Sequence, residues 1–432
     1  MWMFARMSST QKRRRGLRIG VSLALVGALS LAACGDDDDS SSSGASDDTT
    51  ADTAGGGATP TGEPLNVWVV TTVDSSLLSY PNIKAAAEIY EQYINDKGGI
   101  GGRPLEMTFC DGKTDPNEDA ACARKAVDDG AIALVGGFDL DVSLMMEVLE
   151  AENTAWFGAC CPVVAKEFSS PIAFNMGSTF SFNQGAAYKM VQDGCTNVKF
   201  IYLENGSQDI ATAQTKYAFE ALEYTGELDF ITVPATISDF SAVAAKAAEG
   251  SDCIYGGLGD IQWMAFIPAL KSVGSTTRLY GAQGNLNVKV AEAFPEETEG
   301  SVVINAYPNI AGPMWDDYRA ALETYNAPDL DWNSLAGLGT WAAFEGFRRI
   351  VEQMIADGAE VNNDTFIEAA NATSILPMDN MVGDLDFTTP WAAEGGAFPR
   401  IFNRSVAYDI ISGGALTPMD AKTYDMTAYH PE

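Results

Sequence analysis

Among 432 residues the side chains able to do chemistry are seven cysteines, one histidine and a large excess of acids. The histidine, His430, falls in the last few residues, in a tail expected to be mobile. That placement sets aside Ser-His-Asp and Cys-His catalysis and histidine-based metal sites. No pair of Cys-x-x-Cys motifs is present, so no zinc site is expected. Asp115, Asn117 and Asp119 have the spacing that opens a calcium loop, but Ala120 replaces the required glycine and Ala126 the closing acid. A helix start accounts for them better: Asp115 as N-cap, Pro116 at the first helical position and Glu118 closing a capping box. Gly98, Gly99, Gly101 and Gly102 do not fit G-x-G-x-x-G and follow a helix, so they form no dinucleotide loop. No acid pair has the context of a carboxylate enzyme. The expectation is a protein without catalytic residues, metal or cofactor, whose chemistry is binding.

The elements that would carry a binding site are readable in order. Residues 65–70 form a strand. Ile83, Ala86, Ala87, Tyr90, Tyr93 and Ile94 give a helix one apolar stripe, which stops at Lys97, Gly98 and Gly99. Leu105, Met107 and Phe109 alternate as a half-buried strand does. The Asp115-capped helix runs to Gly130, and residues 132–135 are a short apolar strand. This is β-α-β-α-β, hence a parallel sheet with right-handed crossovers. A fourth strand covers 156–159, with Cys160, Cys161 and Pro162 as its exit loop, and 173–182 reads as a crossing into a second lobe. There the pattern restarts: strands at 198–203, 228–233, 253–257 and 278–282, with helices from Asp209, Asp239 and Asp260, the last kinked at Pro268. Residues 302–306 read as the return crossing, helices near 314–325 and 335–355 complete the first lobe, and a third crossing is expected at 381–390 before a strand at 400–411.

Ile94-Asn95, Gly98 to Ile100, Gly101 to Glu106, Asp111, Asp115-Pro116 and Ala126-Val127 resemble the N-terminal signature of the type I periplasmic binding proteins. The likeness is greatest to the branched-chain amino-acid and amide-binding group that serves ABC importers. It implies an α/β fold of two doubly wound Rossmann-like lobes joined by a three-strand hinge. Residues 65–180 and 305–385 would form the first lobe, and 181–304 and 386–432 the second. It also implies hinge closure on a small-molecule ligand, permease subunits as partners, and a monomer. A receptor reporting to a membrane partner would use the same fold, and an α/β hydrolase is the remaining alternative.

In such a fold ligands sit beyond the carboxyl ends of the strands, which directs attention to loops 71–81, 136–141, 158–162, 203–209, 256–260 and 281–287. The candidate ligand-binding residues are Tyr80, Phe138, Asp139, Ala159, Cys160, Cys161, Asn205, Leu258, Asp260 and Gln283. Family members usually hold a ligand carboxylate with small hydroxyl residues and an ammonium with an acid. Here Phe138 to Asp141 replace the hydroxyl run, Cys160 and Cys161 stand where a small residue and a threonine are common, and Gln283 resembles the position of the acid. An amide satisfies only neutral groups, so a simple aliphatic α-amino acid is not the expected ligand.

Residues 1–33 combine a basic segment, Lys12 to Arg18, with an apolar run at 19–31 that is too short to span a bilayer and suits a signal peptide. Leu31-Ala32-Ala33-Cys34 resembles a lipobox, making Cys34 a candidate lipidation site and membrane anchor; Arg14-Arg15 is loosely like a twin-arginine signal. Residues 34–64 are rich in Asp, Ser and Gly and read as a disordered tether with a reach of about 30 Å. Export to an extracytoplasmic, disulfide-permissive compartment leaves six cysteines to pair. The best pairings are Cys110 with Cys122, across one strand-to-helix loop, and Cys195 with Cys253, before neighbouring strands. Cys160 and Cys161 are then a vicinal bridge or two free thiols. The net charge of −33 excludes nucleic acid as a partner.

Overall fold

Parallel pairing and its crossovers generate the architecture. The computed structural model describes residues 59–75, 79–204, 208–392 and 394–431; Cys34, the signal segment, most of the tether and Asn205 lie outside them. The first sheet is built from β1 (Leu65–Thr71), α1 (Pro81–Asp96), β2 (Leu105–Asp111), α2 (Pro116–Asp128), β3 (Ala133–Val135), α3 (Ser143–Ala151), β4 (Ala155–Phe157), α4 (Ala165–Ser169) and β5 (Ala173–Phe174). Its strand order is β2-β1-β3-β4-β5, all parallel. Because the chain steps one way from β1 to β2 and back past β1 to β3, right-handed crossovers put α1 and α2 on opposite faces. Asp115 caps α2 through Asn117 N with Pro116 behind it, but Glu118 turns to Lys113 (4.0 Å) and the expected capping box does not form.

The second sheet follows: α5 (Phe182–Gln192), β6 (Asn197–Glu204), α6 (Gln208–Ala221), β7 (Glu227–Pro234), α7 (Ser241–Ala248), β8 (Cys253–Gly257), α8 (Asp260–Ser272), β9 (Arg278–Ala282), α9 (Val288–Ala293) and β10 (Val302–Asn305). The chain returns through α10 (Asp316–Thr324), α11 (Leu335–Ala356) and α12 (Asn363–Ala372), then adds β11 (Ser405–Ser412), β12 (Ala415–Pro418) and β13 (Tyr424–Asp425) to the second sheet. Its order is β12-β11-β10-β9-β8-β6-β7, with β13 on β11. One apolar core draws on residues 65–176 and 306–402, and two clusters, one on each side of the second sheet, draw on 186–304 and 406–426. The helix α8 continues through Pro268. The third crossing lies later than 381–390. Met381, Val382, Leu385 and Phe387 pack in the first core, and so does Phe402, so the chain leaves that lobe only after it.

The cysteines pair within these layers: Cys110 with Cys122 between β2 and α2, Cys195 with Cys253 beneath β6 and β8, and Cys160 with Cys161 in the loop after β4.

Three crossings run side by side. Asn175 bridges Ile401, the Asn403 amide donates to Met176 O (3.0 Å), and the Ser178 hydroxyl to Ala306 O (3.4 Å). Arg400 is held between the rings of Phe174 and Phe402 and donates Nε–H to Ala173 O (2.7 Å). Gln283, just past β9, clamps the second crossing: its Oε1 accepts from Ala306 N (3.0 Å) and Tyr307 N (3.2 Å), and its Nε2 donates to Tyr307 O (3.2 Å).

The C-terminal residues are not a loose tail. His430 is 3 % exposed, bonded to Ser181 Oγ (3.0 Å) and Gln184 Nε2 (3.1 Å), stacked on Phe180 and set edge-on to Trp391. The tail is fixed because aromatic rings around the first crossing accept the imidazole. Ser181 and His430 are therefore adjacent after all; both are sealed from solvent, so it is burial, not mobility, that keeps a substrate from this pair.

Two outcomes follow from the hinge. Burial pushes the His430 imidazole from 6.5 down to about 3, with Arg404 acting in the same direction and Asp425 opposing. The unfolded chain thus binds the extra proton between those values, and this contribution is full above pH 6.5 and declines as pH falls toward 3, by at most about 1.4 kcal/mol per pH unit. Urea melts of wild type and His430→Gln across that window should differ by that slope, the wild type losing more stability as pH falls; parallel profiles would refute it. Gln283→Ala leaves two N–H groups and one carbonyl unpaired, and Gln283→Glu sets an acceptor against Tyr307 O. Each should cost roughly 2–4 kcal/mol, whereas a Gln283→Glu protein of unchanged stability would free this residue for the ligand.

Candidate functional site

The first wall of the cleft is assembled where β1, β3 and β4 end. Thr72 O accepts from Tyr80 N (2.7 Å), which closes the loop after β1 and sets Tyr80 directly before Pro81, the first residue of α1. Phe138 N donates to Val70 O (3.1 Å), carrying the chain past β3 so that the Phe138 ring meets Tyr80 edge to face with centroids 5.0 Å apart. Asp139 follows at 2 % exposure. Its Oδ1 accepts from Leu140 N (2.7 Å) and its Oδ2 takes the Thr72 hydroxyl hydrogen. After β4, Ala159 and Cys160 are buried and Cys161 half-buried. Their loop is held by Glu167, whose carboxylate accepts from Val163 N, Val164 N and the Trp156 indole at 2.7–2.9 Å.

The opposite wall comes from β8 and β9. Leu258 is buried and Gly259 caps α8, so Asp260 opens that helix, where a carboxylate is favoured by the unpaired N–H groups. Tyr80 connects the two sides. Burial pushes its phenol up to about 12, and the carboxylates of Asp260, from the second lobe, and Asp139, from the first, push in the same direction. Acids of both lobes therefore lie within electrostatic reach of one ring.

Beside the hinge a cavity of about 220 Å³ is lined from both lobes. Gln283, Asn287 and Leu416 stand on one side, and Asn309, Asp331, Asn333 and Ser334 on the other. Asn82, in the first turn of α1, donates to Ser334 Oγ (2.5 Å), so the cavity borders the residue pair that follows Tyr80. Val288, Ile310, Ala415 and Leu416 give it apolar surface; its polar groups are amides, a hydroxyl and one acid, several of which also cap α9 and α11 or tie the return path, and no cation lines it.

The structure thus brings together Tyr80, Phe138, Asp139 and Asp260. It buries Ala159, Cys160 and Leu258 as packing residues and commits the Gln283 amide to the second crossing. Asn309, Asn333 and Ser334 escaped the reading of strand ends because they sit on the return path between β10 and α11; the amide-rich composition there was their only signal. Asp119 was read as part of a helix start, yet its carboxylate turns inward behind Asp139. Burial pushes it up to about 8, with Asp139 the largest of the neighbouring acids that add to the shift.

The chain matches the family model described as periplasmic binding protein over residues 70–396. It is 22% identical over 317 residues to Leu/Ile/Val-binding protein homolog 3 of Brucella melitensis, covering 71% of this chain and 82% of that protein. Its fold resembles a putative branched-chain amino acid ABC transporter protein of Rhodospirillum rubrum (TM-score 0.64, 20% identity, 82% of this chain and 100% of that one). It also resembles a solute-binding protein of R. palustris in complex with 4-hydroxybenzoate (TM-score 0.65, 16% identity, 84% and 97%). A fatty acid ABC transporter substrate-binding protein of Thermomonospora curvata is similar as well (TM-score 0.63, 17% identity, 88% and 97%). Two parallel-dominated sheets, three crossings and a family match that spans most of the length make this chain a member of the periplasmic binding protein family.

Proposed function

We propose that this protein is the extracytoplasmic substrate-binding component of an ABC importer and captures a small polar organic solute by hinge closure. The observation that carries this reading is Tyr80, which stands within reach of carboxylates from both lobes beside a cavity that both lobes line. A solute bound there contacts both walls at once, so it favours the closed arrangement by its differential affinity for that state. The binding-protein relative and the ABC transporter structures of the same fold support the role, and no described helix is long and apolar enough to cross a membrane. Cys34 would be the anchor, and residues 34–64 the tether that lets the lobes load away from the bilayer.

The walls argue for the class of solute. The six strand-end loops hold Asp74, Asp139, Asp141, Glu204, Asp209 and Asp260 and no Lys or Arg. A ligand carboxylate would meet only N–H and hydroxyl donors among surrounding acids, and the second lobe has an amide where an ammonium partner was expected. We read the solute as other than a simple aliphatic α-amino acid, with an apolar or aromatic part against Tyr80 and Phe138 and neutral polar groups toward the amides. Exposed Leu140, which follows Asp139, and exposed Ile261, which follows Asp260, are apolar side chains adjoining one acid of each wall. They suit the permease subunits as a docking face.

Small molecules released by denaturing the purified protein, identified by mass spectrometry and returned in calorimetry, test the reading. The solute should bind with one site per chain, and Tyr80→Ala should weaken it at least about tenfold with little change in melting. Tight binding of leucine, with amides and aromatic compounds inert, would refute the ligand class.

A further inference from the structure

Behind the first wall lie two acids, Asp119 and Asp139, that form no ion pair among the described residues. Asp119, in the first turn of α2, is 1 % exposed, and neither of its carboxylate oxygens has a hydrogen-bond partner. The helix does not require it to face inward, since Asp115 is the cap and Lys113 pairs with Glu118. The carboxylate instead converges with Asp139 on Gly112. A Cβ built on that glycine would lie 1.9 Å from Asp119 Oδ1 and 2.6 Å from Asp139 Oδ2, so only a residue without a side chain leaves room there. The Thr72 hydroxyl reaches the same Asp139 oxygen, and Thr114 N donates to that hydroxyl (2.7 Å). Oxygens from the ends of β1 and β3 and from the first turn of α2 thus meet in a buried space. Among the described residues no ion pair involves either acid. Two converging carboxylates withdrawn from water are costly without a counter-charge.

We propose that Asp119, Asp139 and Thr72 ligate a hard divalent cation of the calcium class, water or main-chain oxygens completing a shell of roughly six to eight. The donor set supports the assignment: it is all oxygen, with none of the nitrogen or sulfur that zinc or copper prefers. It is distinct from the Asp115-Asn117-Asp119 spacing, because the ion sits on the inner side of α2 and the second acid comes from the loop after β3. Such an ion joins the ends of β1 and β3 to α2, and with them the loops that carry Tyr80 and Phe138.

The test uses the full chain, treated with EDTA and dialysed, then titrated with CaCl2 and separately with MgCl2 by calorimetry and thermal melting. One calcium per chain and a saturable rise in Tm of about 2 °C or more are expected, with magnesium weaker. Asp119→Asn should weaken calcium at least about tenfold and abolish the rise, while melting no lower than the metal-free wild type because an amide is easier to bury. Asp115→Asn, an exposed cap, should keep calcium binding. Absence of a calcium response in the wild type, or a response that Asp119→Asn retains, overturns the proposal; the first result combined with a stabilised Asp119→Asn assigns the space to a proton. If Asp119→Asn does not fold, equilibrium dialysis of the wild type with radioactive calcium decides: one ion per chain supports the site and none overturns it.

Discussion

The clamp that Gln283 places on Ala306 and Tyr307 is the interaction from which the cleft geometry follows. It fixes the second crossing to the end of β9, and the backbone contacts of Asn175, Ser178 and Asn403 align the other crossings beside it. In the hinge closure proposed above, the few residues of these three strands would absorb the dihedral change. The clamp also dictates the residue type. One side chain must accept two N–H bonds and donate to a carbonyl, which an amide does and a carboxylate does not.

That commitment moves the second lobe's charge elsewhere. Asp260 stands on the N-terminus of α8, where the helix dipole offsets part of its charge, and it faces a first wall that carries Asp139. Under the hinge closure proposed above, bringing these like charges together around Tyr80 would oppose closure of the empty protein, more strongly once water is excluded, and a solute that adds donors between the walls would relieve that repulsion.

Much of this was legible in the sequence because strong local signals coincide with strong packing demands. The strands at 253–257 and 278–282 appear at the expected residues, and α1 stops where Gly98 and Gly99 take positive φ. What was missed had its determinants far away in the chain. The helix α5 carries Gly185 mid-way and a weak apolar stripe, so it resembles a loop. The glycine is there because Ile304 and Val406 pack against the helix, and a Cβ would lie 2.9 Å from each. Likewise His430 looks like a free end until Phe180 and Trp391 are brought beside it. Strand-end loops pointed to Tyr80, Phe138, Asp139 and Asp260. The clamp of Gln283 could not be read, because its partners are backbone groups of the second crossing, whose position only the folded sheets define.

The distribution of covalent bonds agrees with this division of labour. Cys110–Cys122 joins a strand to a helix inside the first lobe, Cys160–Cys161 stiffens one loop of it, and Cys195–Cys253 joins the approach to β6 with β8 inside the second. None spans the crossings. Along the crossings the contacts are hydrogen bonds and the packing of His430, none of them covalent. A disulfide across the crossings would fix the angle that the proposed closure changes, whereas disulfides within each lobe would preserve the shape of its wall while that angle varied. On that reading, rigid walls on an adjustable hinge let contacts made at one side of the cleft depend on those made at the other.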